Sequence, residues 1–206
     1  MLGSRLVLAS TSAHRKALLS RLGLRFEAHA PAFEEVGAEH LSPAEIALSY
    51  ARGKALAVAG ALAGQDVLVI GCDQVCELDG EILHKCLTEA EAQDQLERLQ
   101  GRTHALHDGL FLYRTSTSES REALVTTRMT MRALDADQIA AYVDRDRPLY
   151  TCGGYTFEGT GVALFENIVG GDDSAIVGLP LMSLTRLLTD FGVDPLRDGP
   201  RRRWPA

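Results

Sequence analysis

The clearest chemical signal near the start of the chain is a run of hydroxyl and basic side chains, Ala9-Ser-Thr-Ser-Ala-His-Arg-Lys16. It lies where a strand-like segment gives way to a helix-like one, so free backbone N–H groups and the positive end of a helix dipole would lie beside it. Arg15 and Lys16 fall in the first helical turn, where a cation opposes the dipole unless an anion binds there. The run predicts an anion site, with an N-cap serine and solvated cations as the alternative.

Acidic side chains follow two of the strand-like segments. Asp73 comes just after the apolar run Val67–Gly71, and Glu35 follows the second strand-like segment, Phe26–Ala30. A carboxylate at the end of a buried strand is suited to binding a divalent metal or to activating water. The alternatives are an Asx turn at Asp73 and a solvated glutamate at position 35.

Two lysines add to this set of charged groups. Lys54 stands in an alanine-rich, helix-like segment, and Lys85 follows the hairpin signal Asp79-Gly80. Each side chain is long enough to reach phosphate oxygens or to extend into solvent. Hydroxyls, cations and carboxylates distributed over several loops fit metal-assisted phosphate chemistry, which needs no protein nucleophile.

The patterns for several other chemistries are missing. The chain has no HExxH motif, and His104 and His107 would fall on opposite faces of a strand, so they cannot share a metal ion. Its four cysteines form no CxxC pair, which argues against a zinc knuckle or a redox motif and predicts reduced thiols. The glycine-rich segment Gly153–Gly161 lacks the Lys-Ser/Thr pair of a phosphate-binding loop.

Alternating strand and helix signals must position these side chains. Capping-box sequences begin at Ser42 and Thr88, and each predicts the start of a helix. The predicted strands are Arg5–Ala9, Phe26–Ala30, Val67–Gly71, Val75–Leu78, Glu81–Leu83, His104–Tyr113, Glu122–Arg132 and Val162–Ile168. The predicted helices cover residues 13–22, 42–62, 88–101, 135–145 and 181–191. This order predicts an α/β fold with a mixed sheet flanked by helices, and ligand sites at strand ends.

Charge and hydropathy limit the classes of partner. The 206 residues include 21 Lys+Arg and 28 Asp+Glu, a formal net charge of −7. Proteins that coat long nucleic acids usually have a basic surplus, because phosphate neutralisation supplies much of the affinity. No apolar run approaches the roughly 18 residues of a membrane helix, and Leu6–Ala9 is too short for a secretory signal. We therefore expect a cytoplasmic protein with neither a long nucleic acid nor a membrane as partner.

Several blocks of the sequence, in one order, resemble the signatures of a known family. They are Leu6–Leu19, Gly71–Val75 with Leu78–Lys85, Leu99–His104 and Val177–Leu181. On these blocks the chain is similar, over about residues 6–191, to the Maf family of nucleotide pyrophosphatases. The resemblance implies an elongated central mixed β-sheet flanked by helices with a ligand cleft, similar to the inosine-triphosphate pyrophosphatase-like fold. We expect one such domain over residues 1–206, with two lobes around one cleft and a loose tail over residues 194–206.

The resemblance also implies a reaction and the residues that perform it. A nucleoside triphosphate would be hydrolysed between its α and β phosphates, with a divalent cation such as Mg²⁺ or Mn²⁺ as cofactor. By position, Asp73 matches the family's proposed general base, and it orients or deprotonates water or holds the metal. Glu35 matches a characteristic acidic position and is the second expected metal ligand. The family's phosphate-binding positions correspond to Ser10, Arg15, Lys16, Lys54 and Lys85. A homodimer is compatible with this resemblance.

The resemblance extends to a subgroup of the family. Asp73-Gln74-Val75 and Phe157-Glu158-Gly159 resemble the subgroup that acts on 7-methyl-GTP, whereas the dTTP and UTP subgroup typically has threonine after the aspartate and glutamine near position 158. A carboxylate at Glu158 would accept from the N1 and N2 donors of guanine. His14 stands where this subgroup often has a tryptophan, which can stack on a cationic base. His14, Gln74 and Glu158 are the expected specificity positions.

Two other functions compete with this one. The first is a pyrophosphatase for dTTP and UTP, or one with a general house-cleaning role. The second, from another class, is a non-catalytic, nucleotide-sensing regulator of cell division.

Overall fold

The computed structural model describes residues 5–36 and 40–199. Within them the chain forms a seven-stranded mixed sheet flanked by helices, which confirms the predicted fold class. The strands are β1 (Arg5–Ala9), β2 (Glu27–His29), β3 (Val67–Leu78), β4 (Glu81–Leu83), β5 (Thr103–Arg114), β6 (Glu119–Met131) and β7 (Phe165–Gly170). The helices are α1 (Ala13–Arg21), α2 (Pro43–Ala61), α3 (Glu89–Leu99), α4 (Ala136–Asp146), α5 (Asp173–Val177), α6 (Leu181–Asp190) and α7 (Pro195–Asp198), with a 3₁₀ helix at Thr160–Leu164.

The sheet is built around three long strands. The strand order is β2-β1-β3-β5-β6-β7, and β4 pairs with the end of β3. Strand β1 is parallel to β2 and β3, whereas the remaining pairs are antiparallel. The pairs β3–β4 and β5–β6 are joined by short turns and form hairpins, whereas the parallel pairing of β1 with β3 needs the crossover through α2.

One edge of β3 is interrupted, and this gap defines the cleft. Strand β1 pairs with residues 67–70 of β3, and β4 pairs with residues 76–78. On the other edge the ladder with β5 continues from residue 68 to residue 77. Among the described residues, residues 71–75 thus have no strand neighbour on the edge of β3 that pairs with β1 and β4. The backbone there is open to side chains and ligands.

Apolar clusters cover both faces of the long strands. Helices α1 and α6 pack on one face, where Leu19 and Leu184 are fully buried. Helices α3 and α4 cover the next part of that face, with Leu96 at its centre. Helix α2 covers the opposite face with small side chains, including Ala51 and Ala55. The small residues let α2 approach the sheet closely.

The local signals for helix starts and for the hairpin are confirmed. Both predicted capping boxes are formed, at the starts of α2 and α3. Asp79 and Gly80 join β3 to β4 with positive φ angles of 53° and 85°. This conformation is the one that favours Asp-Gly in a two-residue hairpin turn.

The predicted strand pattern was wrong in two places. Residues 67–71 and 75–78 belong to a single strand, because the ladder with β5 runs through the polar residues between them, and Asp73 therefore lies within β3 and not after its end. Val162 lies in the 3₁₀ helix, and β7 begins only at Phe165. The predicted loose tail contains α7, which is capped by the Asp194 carboxylate on the Leu196 N–H. Residues 200–206 lie outside the described part of the chain.

Candidate active site

The site is centred on Asp73, which lies in the open stretch of β3 and is 7% exposed. In the ladder Asp73 is paired with Gly109 of β5. Successive side chains of a strand point to opposite faces, so Asp73 shares with Val69 and Val75 the face covered by α2. A carboxylate is thereby held under a helix, at the point where one strand edge is unpaired.

Two glycines allow α2 to lie over this carboxylate. A Cβ at Gly71 would lie 2.0 Å from the carbonyl oxygen of Ala51, and a Cβ at Gly109 would lie 2.3 Å from that of Ala47. Real Cβ atoms do not approach oxygens so closely, so any side chain at either position would force the helix away. The glycines therefore set the distance from α2 to the sheet.

Lys54 of α2 joins two carboxylates. Its Nζ donates a hydrogen bond to Asp73 Oδ1, and it lies 2.6 Å from Glu35 Oε1. The side chains of Lys54 and Asp73 are 12% and 10% exposed, whereas that of Glu35 is 53% exposed. A shared cation between a buried and an exposed carboxylate is the central feature of the site.

An aromatic contact seats the segment that carries Glu35. Phe33 packs edge-on against Tyr50, with ring centroids 5.8 Å apart. Its ring also occupies the space beside Gly53, where a Cβ would come within 2.2 Å of the ring. Phe33 is two residues from Glu35, and Gly53 is adjacent to Lys54. The same contact therefore fixes the relative positions of the carboxylate and the cation.

The two carboxyl groups have pKa values that move in opposite directions. Burial raises the pKa of Asp73 above its ordinary value, although Lys54 and Arg15 oppose the rise. Partial burial also acts to raise the pKa of Glu35, but the hydrogen bond from Lys54 and the nearby cations outweigh it and lower that pKa. A carboxylate with a raised pKa is the better proton acceptor of the two.

Arg15 closes the open edge of β3. Its Nη1 donates to the carbonyl oxygen of Cys72 at 2.9 Å, and its Nε donates to the carbonyl oxygen of Gly178 at 2.9 Å. The cation is thereby fixed beside Asp73. Ser10 is buried in the turn before α1, where its Oγ accepts from the N–H of Ser12.

The two other predicted phosphate-binding lysines differ in their surroundings. The backbone of Lys85 forms an antiparallel bridge with Cys152, and its exposed cation lies close enough to Glu35 to lower the pKa of that carboxyl. The side chain of Lys16 forms no hydrogen bond or ion pair with another described residue. The structure thus places Arg15, Lys54 and Lys85 around the two carboxylates. Lys16, in the first turn of α1, forms no ion pair with either carboxylate.

A cavity of about 590 Å³ lies beside this cluster. Two of the predicted specificity residues line it and contact each other, with His14 Nδ1 3.0 Å from Glu158 Oε1. His14 immediately precedes Arg15, so the first turn of α1 connects the cavity to the charged cluster. The lining residues are His14, Ala17, Leu18, Arg21, Phe157, Glu158, Gly159, Val162, Asp173 and Val177.

The third predicted specificity residue points to the same face as α5. Gln74 Nε2 donates to the carbonyl oxygen of Ala175 at 2.8 Å and to Asp108 Oδ1 at 3.1 Å. Asp108 is fully buried and was missed by sequence reasoning. The available signal was that Asp108 is the single acidic residue of β5. Burial raises the pKa of this carboxyl well above its ordinary value, although Arg15 opposes the rise.

No group of three or more His, Cys, Asp or Glu side chains is arranged to hold a metal ion in residues 5–36 and 40–199. No helix in this part of the chain combines the length and apolar character needed to cross a bilayer.

Comparison with known proteins identifies the family. The chain is 42% identical over 190 residues, 92% of its length and 97% of the relative's, to a protein of Aromatoleum aromaticum (strain DSM 19018 / LMG 30748 / EbN1) named 7-methyl-GTP pyrophosphatase. The model of the family described as Maf, Maf-like protein, matches residues 5–191. The resemblance stated from the sequence is thereby confirmed, and the chain belongs to the Maf family.

Proposed function

We propose that this chain is a nucleoside triphosphate pyrophosphatase that hydrolyses 7-methyl-GTP to 7-methyl-GMP and pyrophosphate, and so removes a modified nucleotide. The observation that carries the proposal is the buried Asp73 carboxylate, held by Lys54 and flanked by Arg15 beside a cavity of nucleoside size. The name of the relative from Aromatoleum aromaticum supports the reaction and the substrate.

The cations bind the triphosphate. A nucleoside triphosphate carries several negative charges, and Arg15, Lys54 and Lys85 lie around one point of the cleft. Ser10, in the loop before α1, adds a hydroxyl group, and Lys16, near the start of α1, adds a further cation. Both lie next to the free N–H groups at the start of this helix. Offsetting this charge is the main requirement for phosphoryl transfer to water.

Asp73 acts as the general base. It accepts a proton from water as the water oxygen bonds to phosphorus, and the bond from that phosphorus to the α–β bridging oxygen breaks. Pyrophosphate and the nucleoside monophosphate are the two products. The raised pKa of Asp73 favours proton acceptance, and the hydrogen bond from Lys54 orients the carboxylate.

The residues present fit a divalent cation such as Mg²⁺ or Mn²⁺. Mg²⁺ is typically bound through one or two carboxylates together with substrate phosphate oxygens, and it needs no cage of protein ligands. Asp73 and Glu35 provide such a pair, since both bind the same Lys54 ammonium. When bound, the cation supplies charge neutralisation at the phosphates.

Glu158 and His14 select the base. Guanine presents N–H donors at N1 and N2, which the Glu158 carboxylate accepts, and the positive charge of a 7-methylguanine ring adds an electrostatic preference. The flat ring of His14 lines the same cavity. In the absence of a base it contacts the Glu158 carboxylate, which a bound guanine would contact in its place.

A substrate panel tests the proposal. The protein is incubated with Mg²⁺ or Mn²⁺ and with 7-methyl-GTP, GTP, dTTP, UTP or ITP, and pyrophosphate release is measured. We expect 7-methyl-GTP to give the highest kcat/KM, and Asp73→Asn to reduce turnover to near background. A preference for dTTP or UTP would replace the proposed substrate with the pyrimidine alternative. Tight nucleotide binding with no hydrolysis of any substrate would overturn the proposed reaction in favour of a nucleotide sensor.

A further inference from the structure

A second buried carboxyl group, that of Asp108, lies behind the proposed base-recognition residues. Asp108 is 0% exposed and is paired directly with Gln74 in the β3–β5 ladder. Residues directly opposite in a ladder point to the same face, so both side chains lie on the face of α5 and not on that of α2. Asp108 is therefore separated from Asp73 by the thickness of the sheet.

The two carboxyl oxygens of Asp108 differ in their hydrogen bonds. Its Oδ1 accepts from Gln74 Nε2 at 3.1 Å, whereas its buried Oδ2 has no hydrogen-bond partner among the described residues. An isolated buried carboxylate is costly, and burial holds the pKa of this group well above its usual range. An uncharged carboxylic acid avoids the cost of a buried charge, and its carbonyl oxygen accepts the hydrogen bond from Gln74 without an ionic partner.

The hydrogen bonds of Gln74 fix which end of its amide faces the ligand. Nε2 contacts three acceptors: the carbonyl oxygens of Ala175 at 2.8 Å and Ile176 at 3.3 Å, and Asp108 Oδ1. Backbone carbonyls only accept, so the NH₂ group must be turned toward them. The amide oxygen Oε1 is left on the other side, 3.6 Å from the point where a Cβ of Gly178 would lie.

This oxygen lies on the side of Arg15, whose neighbour His14 lines the cavity. The position that a Cβ of Gly178 would occupy is also 3.7 Å from Arg15 Nε. Helix α5 lines the cavity with Asp173 and Val177, and it binds Gln74 through the carbonyls of the two residues before Val177. Gln74 thus offers the ligand an acceptor and no donor.

We propose that Asp108 is a positioning residue, which acts together with the carbonyls of Ala175 and Ile176 to hold the Gln74 amide with its oxygen toward the nucleotide, and which thereby favours bases with N–H donors. The inference rests on the proposed function, because it explains a choice among nucleotide substrates. It adds to Glu158 a second acceptor for a guanine edge. A uracil or thymine edge, which alternates acceptor and donor, is matched less well by two acceptors.

The test compares two substrates in four variants. The ratio of kcat/KM for 7-methyl-GTP to that for UTP is measured for the parent, Asp108→Leu, Gln74→Leu and the double variant. We expect Asp108→Leu to lower this ratio about three- to tenfold, the effect of one neutral hydrogen bond, mainly through KM for 7-methyl-GTP. The same substitution should change the ratio less than twofold when Gln74 is already leucine.

A conservative variant separates positioning from support of the fold. Asp108→Asn keeps an uncharged group with an oxygen for Gln74, so it should retain the substrate ratio to within about twofold. If Asp108→Leu does not fold, Asp108→Ala removes the same acceptor without adding volume and should lower the ratio likewise. Equal losses with both substrates, or an effect of equal size in the Gln74→Leu background, would show a structural role and overturn the inference.

The failure of the two proposals can be told apart. If the parent hydrolyses neither nucleotide, the proposed function fails. The shift in thermal unfolding temperature caused by 7-methyl-GTP and by UTP then measures binding selectivity in the same variants. A selectivity that does not depend on Asp108 in that assay would overturn the inference as well.

Discussion

Gly109 faces the carbonyl oxygen of Ala47 so closely that a Cβ at Gly109 would lie 2.3 Å from that oxygen. Helix α2 therefore rests on the backbone of β5, and this contact sets how far Lys54 stands from Asp73. The sheet position opposite Asp73, the proposed general base, is in this way reserved for the smallest residue. The geometry of the charged cluster depends on packing as much as on charge.

We expect Gly109→Ala to damage both stability and activity. Overpacking of this kind costs about 1–3 kcal/mol, and the displaced α2 would draw Lys54 away from Asp73. The free energy of unfolding in urea should fall by that amount, and kcat/KM should fall at least tenfold at a temperature where the variant is folded.

Gly60→Ala is the matched control for this change. Gly60 lies in α2 itself, and nothing lies within 4 Å of a Cβ at that position. Alanine there should stabilise the helix by up to about 1 kcal/mol and leave kcat/KM unchanged. An active Gly109→Ala variant of parental stability would contradict the packing argument.

The sequence predicted the fold class and the order of elements because the determining signals are local. Capping boxes at α2 and α3 and the Asp79-Gly80 turn act within four residues, and each is present in the structure. The limits of β3 were wrong because they depend on pairing with β5, which is distant in sequence.

The candidate site was predicted partly by residue type and largely by resemblance. Asp73, Glu35 and Lys54 come together as a shared ion pair, although their roles in catalysis stay predictions. The role of Gly71 and Gly109 in the packing of α2 could not be predicted from the sequence, because the close approach of the helix backbone to these residues exists only in the folded chain. Asp108 was overlooked for a similar reason, since its partner Gln74 lies on another strand.

We expect Lys54→Met to reduce kcat/KM by 10²–10³-fold, the usual effect of removing a preorganised electrostatic group. The pH profile should change as well. The Lys54 cation lowers the pKa of Asp73 and so opposes the effect of burial. Without it the pKa of Asp73 rises further, the base is protonated up to a higher pH, and the acid limb of the kcat/KM profile moves to higher pH.

Arg52→Met is the matched control on the same helix. Arg52 forms an exposed ion pair with Glu122 at 2.6 Å, outside the cleft. Its removal should leave both kcat/KM and the acid limb in place. An acid limb that moves to lower pH in Lys54→Met would contradict the assignment of that limb to Asp73.

The buried carboxyl of Asp108 should make the stability depend on pH. Burial raises its pKa in the folded state, so above about pH 4 the folded chain retains a proton that the unfolded chain releases. The folded state then binds more protons, and the free energy of unfolding falls as pH rises from about 4 toward the folded-state pKa. Asp108→Asn cannot ionise and should lose this dependence.

Urea unfolding of the parent and of Asp108→Asn at pH 5 and pH 7.5 checks this expectation. The stability of the variant relative to the parent should be greater at pH 7.5 than at pH 5. Asp190→Asn, at an exposed position on α6, is the control and should show the same relative stability at both values. A relative stability of Asp108→Asn that is the same at pH 5 and pH 7.5 would mean that Asp108 is already ionised in the folded protein at pH 5.

The contact between His14 and Glu158 leads to an expectation for base selection. Glu158→Gln keeps the size of the side chain but replaces one acceptor oxygen by a donor, which mismatches the N–H groups of guanine and suits the mixed edge of uracil. The ratio of kcat/KM for 7-methyl-GTP to that for UTP should fall at least tenfold. An unchanged ratio in Glu158→Gln would mean that the base is recognised elsewhere.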